Sequence, residues 1–199
     1  MERTGAVTFV VLIILFTCAL RLTATAATET GSINRSRFSF EAMTWQEILR
    51  IEKTDGSVDS SVANFKGSGF AFERQWRSDM TAWAVGASFS VGAASGGGTS
   101  PDFMYKQGDL SWLMFALEPK YIWALSEQID LLVGATGFYR HIEWPHSSNF
   151  RVTPAPDFNG ALFAGLDLVL SPQFVFRQTF GFSSVDAGPF WRFAIGYNL

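Results

Sequence analysis

The sequence predicts an all-β fold: an eight-stranded antiparallel up-and-down barrel that crosses a membrane with its strands and is preceded by a signal peptide. Three observations predict it. The C-terminal stretch alternates, with Trp191, Phe193, Ile195, Tyr197 and Leu199 on one face and Phe190, Arg192, Ala194, Gly196 and Asn198 on the other. The connections between such alternating segments are short at one end and mostly long at the other. Beyond the N-terminal run, no stretch is apolar enough to span as a helix, so a membrane-embedded chain must close into a barrel.

A two-residue period with bulky apolar groups on one face means a strand. Aromatics on one face and Arg, Gly and Asn on the other suit a wall between lipid and a polar lumen. A soluble sandwich or a lipocalin-type barrel also alternates in this way. A sandwich gives no reason for connections that alternate in length, and the soluble lipocalin-type barrel is the fold-level rival.

The bulk numbers narrow the field. The 199 residues are one domain's worth once a targeting segment is removed. Fifteen basic residues against 18 acidic ones do not point to a nucleic-acid partner. Aromatics make up 16% of the chain, with 20 Phe against 4 Tyr, and there are 18 Gly. That mix suits aromatic belts, short turns and small lumen-facing positions. The single cysteine, Cys18, lies in the N-terminal apolar run, so the mature chain is expected to have no disulfide and no thiolate metal site.

At the N-terminus, Arg3 precedes an uncharged run from Thr4 to Leu20, and Ala24-Thr25-Ala26 follows. A basic start, an apolar middle and a small-x-small exit read as a secretory signal peptide over residues 1–26, cut after Ala26. The run is shorter than the ~20 apolar residues of a spanning helix, and Arg21 closes it. Phe16 and Thr17 stand before Cys18 where a lipoprotein signal needs small residues. Residues 27–36 form a polar periplasmic lead-in, and residues 37–199 the barrel.

Eight period-two segments follow, at about 37–47, 62–76, 81–93, 109–124, 128–144, 158–170, 173–185 and 188–199. Their apolar rows include Phe38 and Phe40; Phe70 and Phe72; Trp83, Val85 and Phe89; Leu113, Phe115 and Leu117. The later rows include Leu131, Val133 and Tyr139; Leu162, Leu166 and Leu168; Phe174, Phe176, Phe180 and Phe182. Trp45 and Phe138 fall on the opposite side of their strands. Residues 77–79, 125–127 and 171–172 make tight turns, whereas 49–61, 94–108 and 145–157 read as long loops. In an outer-membrane barrel the tight turns lie in the periplasm.

The faces opposite the apolar rows carry Glu41, Glu73, Glu118, Lys120, Arg140, Asp167, Arg177 and Arg192. Most lie four to eight residues from the tight-turn end. At ~3.3 Å per residue they share one band, and an eight-stranded barrel is only wide enough for side chains to fill. Isolated charges there are costly and paired ones satisfy each other. The expectation is a lumen ion-pair network that fixes register and closes the channel. Paired carboxylates also serve acid–base catalysis, but charge networks without a cleft are usually structural.

The layout resembles the small eight-stranded outer-membrane barrels of the OmpA and OmpX kind. The final strand, Trp191, Phe193, Ile195, Tyr197 and Leu199, resembles the signature strand of such barrels, with Leu199 in place of the usual terminal Phe. The resemblance implies an integral protein of a Gram-negative outer membrane, in contact with lipid and lipopolysaccharide and inserted by the barrel-assembly machinery. It also implies a water-poor, charge-filled interior and variable surface loops with an unidentified partner. Some relatives support envelope integrity or adhesion, and some pass small apolar molecules. The leading expectation is therefore a structural or surface-interaction role, with a narrow conduit or binding cup for small apolar molecules as the alternative.

A weaker reading is enzymatic. His146-Ser147-Ser148-Asn149 is similar to the His-x-Ser-Asn motif of outer-membrane lipid A deacylases. By that likeness His146 would be the base, Ser148 the nucleophile and Asn149 an oxyanion or positioning group. Against it, the motif follows Pro145 in a loop, three strands come after it, and the expected carboxylate position holds Gly160, with only Asp157 nearby. His141, Glu143 and His146 are interrupted by the same proline, and Asp55, Asp59, Asp102 and Asp109 lack calcium-loop spacing. Gly96-Gly97-Gly98 precedes no helix and reads as a loop tip. No enzyme activity, cofactor or metal is expected. The N-terminal reading is checked by the mass of the exported chain, which should begin at Ala27; a chain retaining Cys18 would refute the cut.

Overall fold

The computed structural model describes residues 33–78, 80–98, 110–143, 150–153, 157–183 and 187–199. These form nine strands: β1 (Ile33–Lys53), β2 (Val58–Ser78), β3 (Thr81–Gly98), β4 (Leu110–Ala124), β5 (Ile129–Ile142), β6 (Phe150–Thr153), β7 (Phe158–Val169), β8 (Phe174–Ser183) and β9 (Ala187–Asn198). Eight of them pair in sequence order, skipping β6, and β1 closes the ring by pairing with both β2 and β9. The result is the expected eight-stranded up-and-down barrel. Among the described residues no helix is long and apolar enough to cross a membrane.

Side-chain alternation follows the closed ladder. On β9, Phe190, Arg192, Ala194, Gly196 and Asn198 are buried, while Trp191, Phe193, Ile195, Tyr197 and Leu199 are exposed on the outer wall. Neighbouring strands share this wall, with Phe38, Phe40, Phe70, Trp83, Val85, Phe89, Leu117, Leu162 and Leu166 all exposed. Aromatic pairs gather near both ends of the apolar band. Trp83 and Tyr121 (4.8 Å), Tyr121 and Trp123 (4.5 Å), and Phe174 and Tyr197 (5.3 Å) lie toward the tight turns. Tyr139 with Phe158 (4.9 Å) and Phe180 with Trp191 (4.5 Å) lie toward the other end. Such girdles belong at lipid–water interfaces.

Two of the tight turns share one device. Ser126 Oγ accepts from the amides of Gln128 (3.3 Å) and Ile129 (3.1 Å). Ser171 Oγ does the same for Gln173 (3.3 Å) and Phe174 (3.0 Å). A serine hydroxyl that bonds amides two and three residues on stabilises a turn without a longer loop.

Two connections differ most from expectation, while Gly96-Gly97-Gly98 continue β3 opposite Ala63, Val62 and Ser61 instead of forming a loop tip. Residues 49–61 are no long loop, because β1 and β2 run on as 21-residue strands to a tight hairpin. The reason is visible in the alternation, with Leu49 and Ile51 buried between the exposed Ile48, Arg50 and Glu52. Three residues turn the chain, and Gly56 supplies the left-handed φ of 80° that such a loop needs. Bonds from the Ser57 hydroxyl and amide hold the Asp55 carboxyl below the usual carboxylate range. The second difference is β6, a strand within the 145–157 connection that pairs with Arg50–Lys53 of β1 beyond the end of β9. The lead-in is also shorter than expected, since β1 starts at Ile33.

Glycines on the inner wall make room for large lumen side chains. Gly67 and Gly92 are register partners on β2 and β3. The Trp112 ring lies across them, so a Cβ on Gly92 would stand 2.6 Å from both Trp112 Cζ2 and Gly67 Cα. Overpacked interiors cost ~1–3 kcal/mol. Gly92→Ala should lower unfolding stability by about that amount in urea titrations of the refolded barrel. Gly137→Ala, where a Cβ meets nothing within 4 Å, should leave the midpoint nearly unchanged.

The lumen as candidate functional site

The inward rows of the eight strands converge on a filled interior with two layers. The first layer is ionic and lies toward the tight-turn end. Arg177 is its fork: Nε and Nη2 reach Asp167 Oδ1 and Oδ2 at 2.6 and 2.8 Å, while Nη1 and Nη2 reach Glu73 Oε2 and Oε1 at 2.7 and 3.2 Å. Arg37 Nη1 joins Asp167 Oδ2 at 2.5 Å and stands 3.9 Å from Glu73 Oε1; its Nε donates to Asn198 Oδ1 at 2.9 Å. Gln75 Nε2 also donates to Glu73. Lys120 Nζ bridges Glu73 Oε2 (2.7 Å) and Glu118 Oε2 (3.2 Å). Arg192 Nη1 and Nη2 grip Glu118, with Nη2 to Oε2 at 3.1 Å. Arg192 Nη1 also lies 3.6 Å from Glu41 Oε2, and its Nε donates to Thr179 Oγ1 at 3.2 Å. The Phe163 ring sits under both cations, 5.8 Å from Lys120 Nζ and 5.5 Å from the Arg192 guanidinium carbon.

All eight of these ionic side chains are buried, and they balance as four acids and four bases. Balance matters because a buried ion is tolerable only when its partner and hydrogen bonds replace lost water. Bidentate Arg–carboxylate contacts supply that replacement with fixed geometry. Nearer the tight turns, Arg77 Nη2 donates to both Asp130 oxygens at 2.8 and 2.7 Å.

The second layer is aromatic and lies toward the opposite end. Trp45 stacks on Phe65 (centroids 4.7 Å, 5° between planes) and meets Trp112 edge-on at 4.6 Å. Leu49, Ile51, Leu110, Met114, Ile142 and Phe190 close around them, with Met43, Phe138 and Val152 partly buried against the cluster. Inside this layer Glu47 pairs with Arg140, and Trp45 Nε1 donates to Glu47 Oε1 at 2.8 Å. A cavity of about 40 Å³ remains between the layers, lined by Met43, Trp45, Phe138 and Phe190 above and by Glu118 and Arg192 below.

The structure places seven of the eight charges expected in the lumen in one network: Glu41, Glu73, Glu118, Lys120, Asp167, Arg177 and Arg192. Arg140 stands apart and pairs with Glu47 in the aromatic layer, because β5 carries it farther from the tight turns. Sequence reasoning missed Arg37, Glu47 and the Arg77–Asp130 pair. Strand parity contained the first two, since Arg37 and Glu47 share the odd, inward positions of β1 with Glu41. The same parity turns Trp45 inward, and on β5 it turns Phe138 inward with Arg140. The motif residues His146, Ser148 and Asn149 lie outside the described residues. Among the described residues no group of three or more His, Cys, Asp or Glu could hold a metal ion.

An outer wall of apolar residues between aromatic girdles, around a lumen filled with paired ions, is the architecture of a small eight-stranded outer-membrane β-barrel. No protein-family model and no curated protein sequence matches the chain. Solved structures do. OprG from Pseudomonas aeruginosa aligns with a TM-score of 0.50 at 12% identity, over 84% of this chain and 97% of its own. Ail of Yersinia pestis, in complex with the heparin analogue sucrose octasulfate, aligns at 0.46 and 16% identity, over 84% and 100%. Neisserial surface protein A aligns at 0.41 and 11% identity, over 81% and 96%. At such identities the likeness concerns the fold.

Glu73 faces Arg177, Lys120 and Arg37 together. Glu73→Ala would leave those cations underpaired in a dry interior, at a cost of ~3–5 kcal/mol. Unfolding titrations should show that loss, whereas Glu127→Ala in an exposed turn should change stability by less than about 0.5 kcal/mol.

Proposed function

We propose that the protein is an integral barrel of a Gram-negative outer membrane whose lumen is shut by its own side chains and which acts through its outward-facing rim. The observation that carries this reading is the doubly filled interior. An ionic layer and an aromatic layer lie in series, and the space left between them is about 40 Å³. A cavity of about 150 Å³ is the scale that accepts one benzene, so the volume argues against a resting conduit for small apolar molecules. The tight turns belong in the periplasm. The extensions of β1 and β2 then rise outside, since 21 residues are about twice the ~10 that cross a bilayer.

On this reading the protein contributes a stable, impermeable pillar to the envelope and presents an extended β-hairpin to partners at the cell surface. Outer-membrane lipid and lipopolysaccharide surround the wall. The C-terminal strand, with Trp191, Phe193, Ile195, Tyr197 and Leu199 on its outer face, is the natural signal for the barrel-assembly machinery. No observation among the described residues favours catalysis.

The test combines fractionation with electrophysiology. The exported chain should sediment with the outer membrane and migrate faster on gels unheated than boiled. In planar bilayers the folded protein should give no steady single-channel current, and Glu73→Ala should raise the frequency of current bursts. A steady open conductance of the unaltered protein would overturn the closed-lumen reading.

A further inference from the structure

The lipid-facing wall of β2 carries a cation that no carboxylate among the described residues neutralises. Arg74 stands among outward residues, with Phe70 and Phe72 toward the middle of the band and Trp76 toward the tight turns. Its register partner on β3 is the exposed Val85, and Trp76 is paired with the exposed Trp83. On the β1 side, Arg74 Nη1 donates to Ser36 Oγ at 2.7 Å. Its Nε is buried without a hydrogen-bond partner. Among the described residues no carboxylate pairs with this guanidinium, unlike those of Arg37, Arg77, Arg140, Arg177 and Arg192.

The height of Arg74 identifies what meets it. It lies one outward position inside the Trp76–Trp83 pair, so its long side chain reaches the headgroup level on the tight-turn side. Lys66, the other lipid-facing cation of the β2 barrel wall, stands eight residues farther along the strand. At ~3.3 Å per residue and a tilt of about 40° that separation is about 20 Å of height, close to the ~25 Å apolar band of such barrels. The two cations thus bracket the hydrocarbon, one at each headgroup level. An ionisable group on a lipid-facing wall calls for a named partner.

We propose that Arg74 and Ser36 form a binding site for the phosphate of a membrane lipid in the leaflet on the tight-turn side. This rests on the membrane-barrel reading above. The chemistry fits a phosphodiester. Ser36 engages one corner of the guanidinium and leaves the rest of the fork for phosphate oxygens, the bidentate match that Arg makes and Lys does not. The Ser36 hydroxyl, accepting from Arg74, keeps its own hydrogen to donate to the same phosphate. Trp76, Trp83 and Phe38 flank the position with apolar surface for the glycerol and upper acyl chains.

The experiment uses the full mature barrel in nanodiscs that mix phosphatidylglycerol with an uncharged galactosyl diglyceride of the same acyl chains. Lipids retained on release are counted by native mass spectrometry. The unaltered protein should retain phosphatidylglycerol over the galactolipid by about tenfold, the scale of one charge-assisted bidentate contact. Arg74→Gln should bring the ratio near one, and Arg74→Lys should fall between. An unchanged ratio in Arg74→Gln, or no preference in the unaltered protein, would overturn the site. Millimolar inorganic phosphate should not displace the retained lipid; displacement would overturn a lipid in favour of free phosphate as the ligand. The heat-dependent gel shift of both variants is the control. Its absence in the unaltered protein would be a failure of the barrel reading rather than of the Arg74 site.

Discussion

A closed ladder is the constraint from which the other features of this molecule follow. In hydrocarbon a backbone amide has no water to bond, so the strands must satisfy one another all the way round. Closure through β1, which pairs with both β2 and β9, achieves that. It also removes any freedom in side-chain placement. Every residue of the wall belongs either to lipid or to the lumen, and a slip of one residue would exchange the two sets. Buried Arg192 and exposed Phe193, adjacent in sequence, show how sharp the division is. The ionic layer reinforces the register, because Arg177 meets Asp167 and Glu73 only when β8, β7 and β2 keep their present alignment.

Within that frame the two lumen layers solve the filling problem differently. The ionic layer uses long flexible side chains that meet in the middle, from β1, β2, β4, β7, β8 and β9. The aromatic layer uses rigid rings, which need shaped seats, and the paired glycines Gly67 and Gly92 provide one for Trp112. Gly181 does the same for the Phe190 ring. The Glu47–Arg140 pair inside the aromatic layer shows that the layers are not pure, since Trp45 both stacks on Phe65 and bonds Glu47.

Much of this was legible in the sequence because a strand's period is exact in a way that a loop's boundary is not. The outward set of β9 and the lumen positions of Arg177, Arg192 and Asp167 follow from parity alone. What parity could not supply was height. Arg140 shares the inward face of β5, but its distance along a tilted strand separates it from the ionic network and gives it to Glu47. The stretch 49–61 reads as a loop, yet Leu49, Ile51 and Ala63 keep the two-residue rhythm between the polar Arg50, Glu52 and Ser60 and carry β1 and β2 onward. Trp45 and Phe138 ran against an expectation that large apolar groups face lipid; an eight-stranded lumen is narrow enough to need them as filling.

The meeting of Trp45 and Trp112 has an optical consequence. Their ring centroids are 4.6 Å apart and their planes cross at 71°, while Trp83, Trp123 and Trp191 look outward to the bilayer. Two indoles so close and so inclined share their excited states, which splits their ultraviolet circular dichroism into a signed couplet. The outward indoles report instead on the acyl chains that surround them, through quenching by brominated lipid. Loosening of the interior and departure from the membrane therefore leave separate spectral marks on one unlabelled chain.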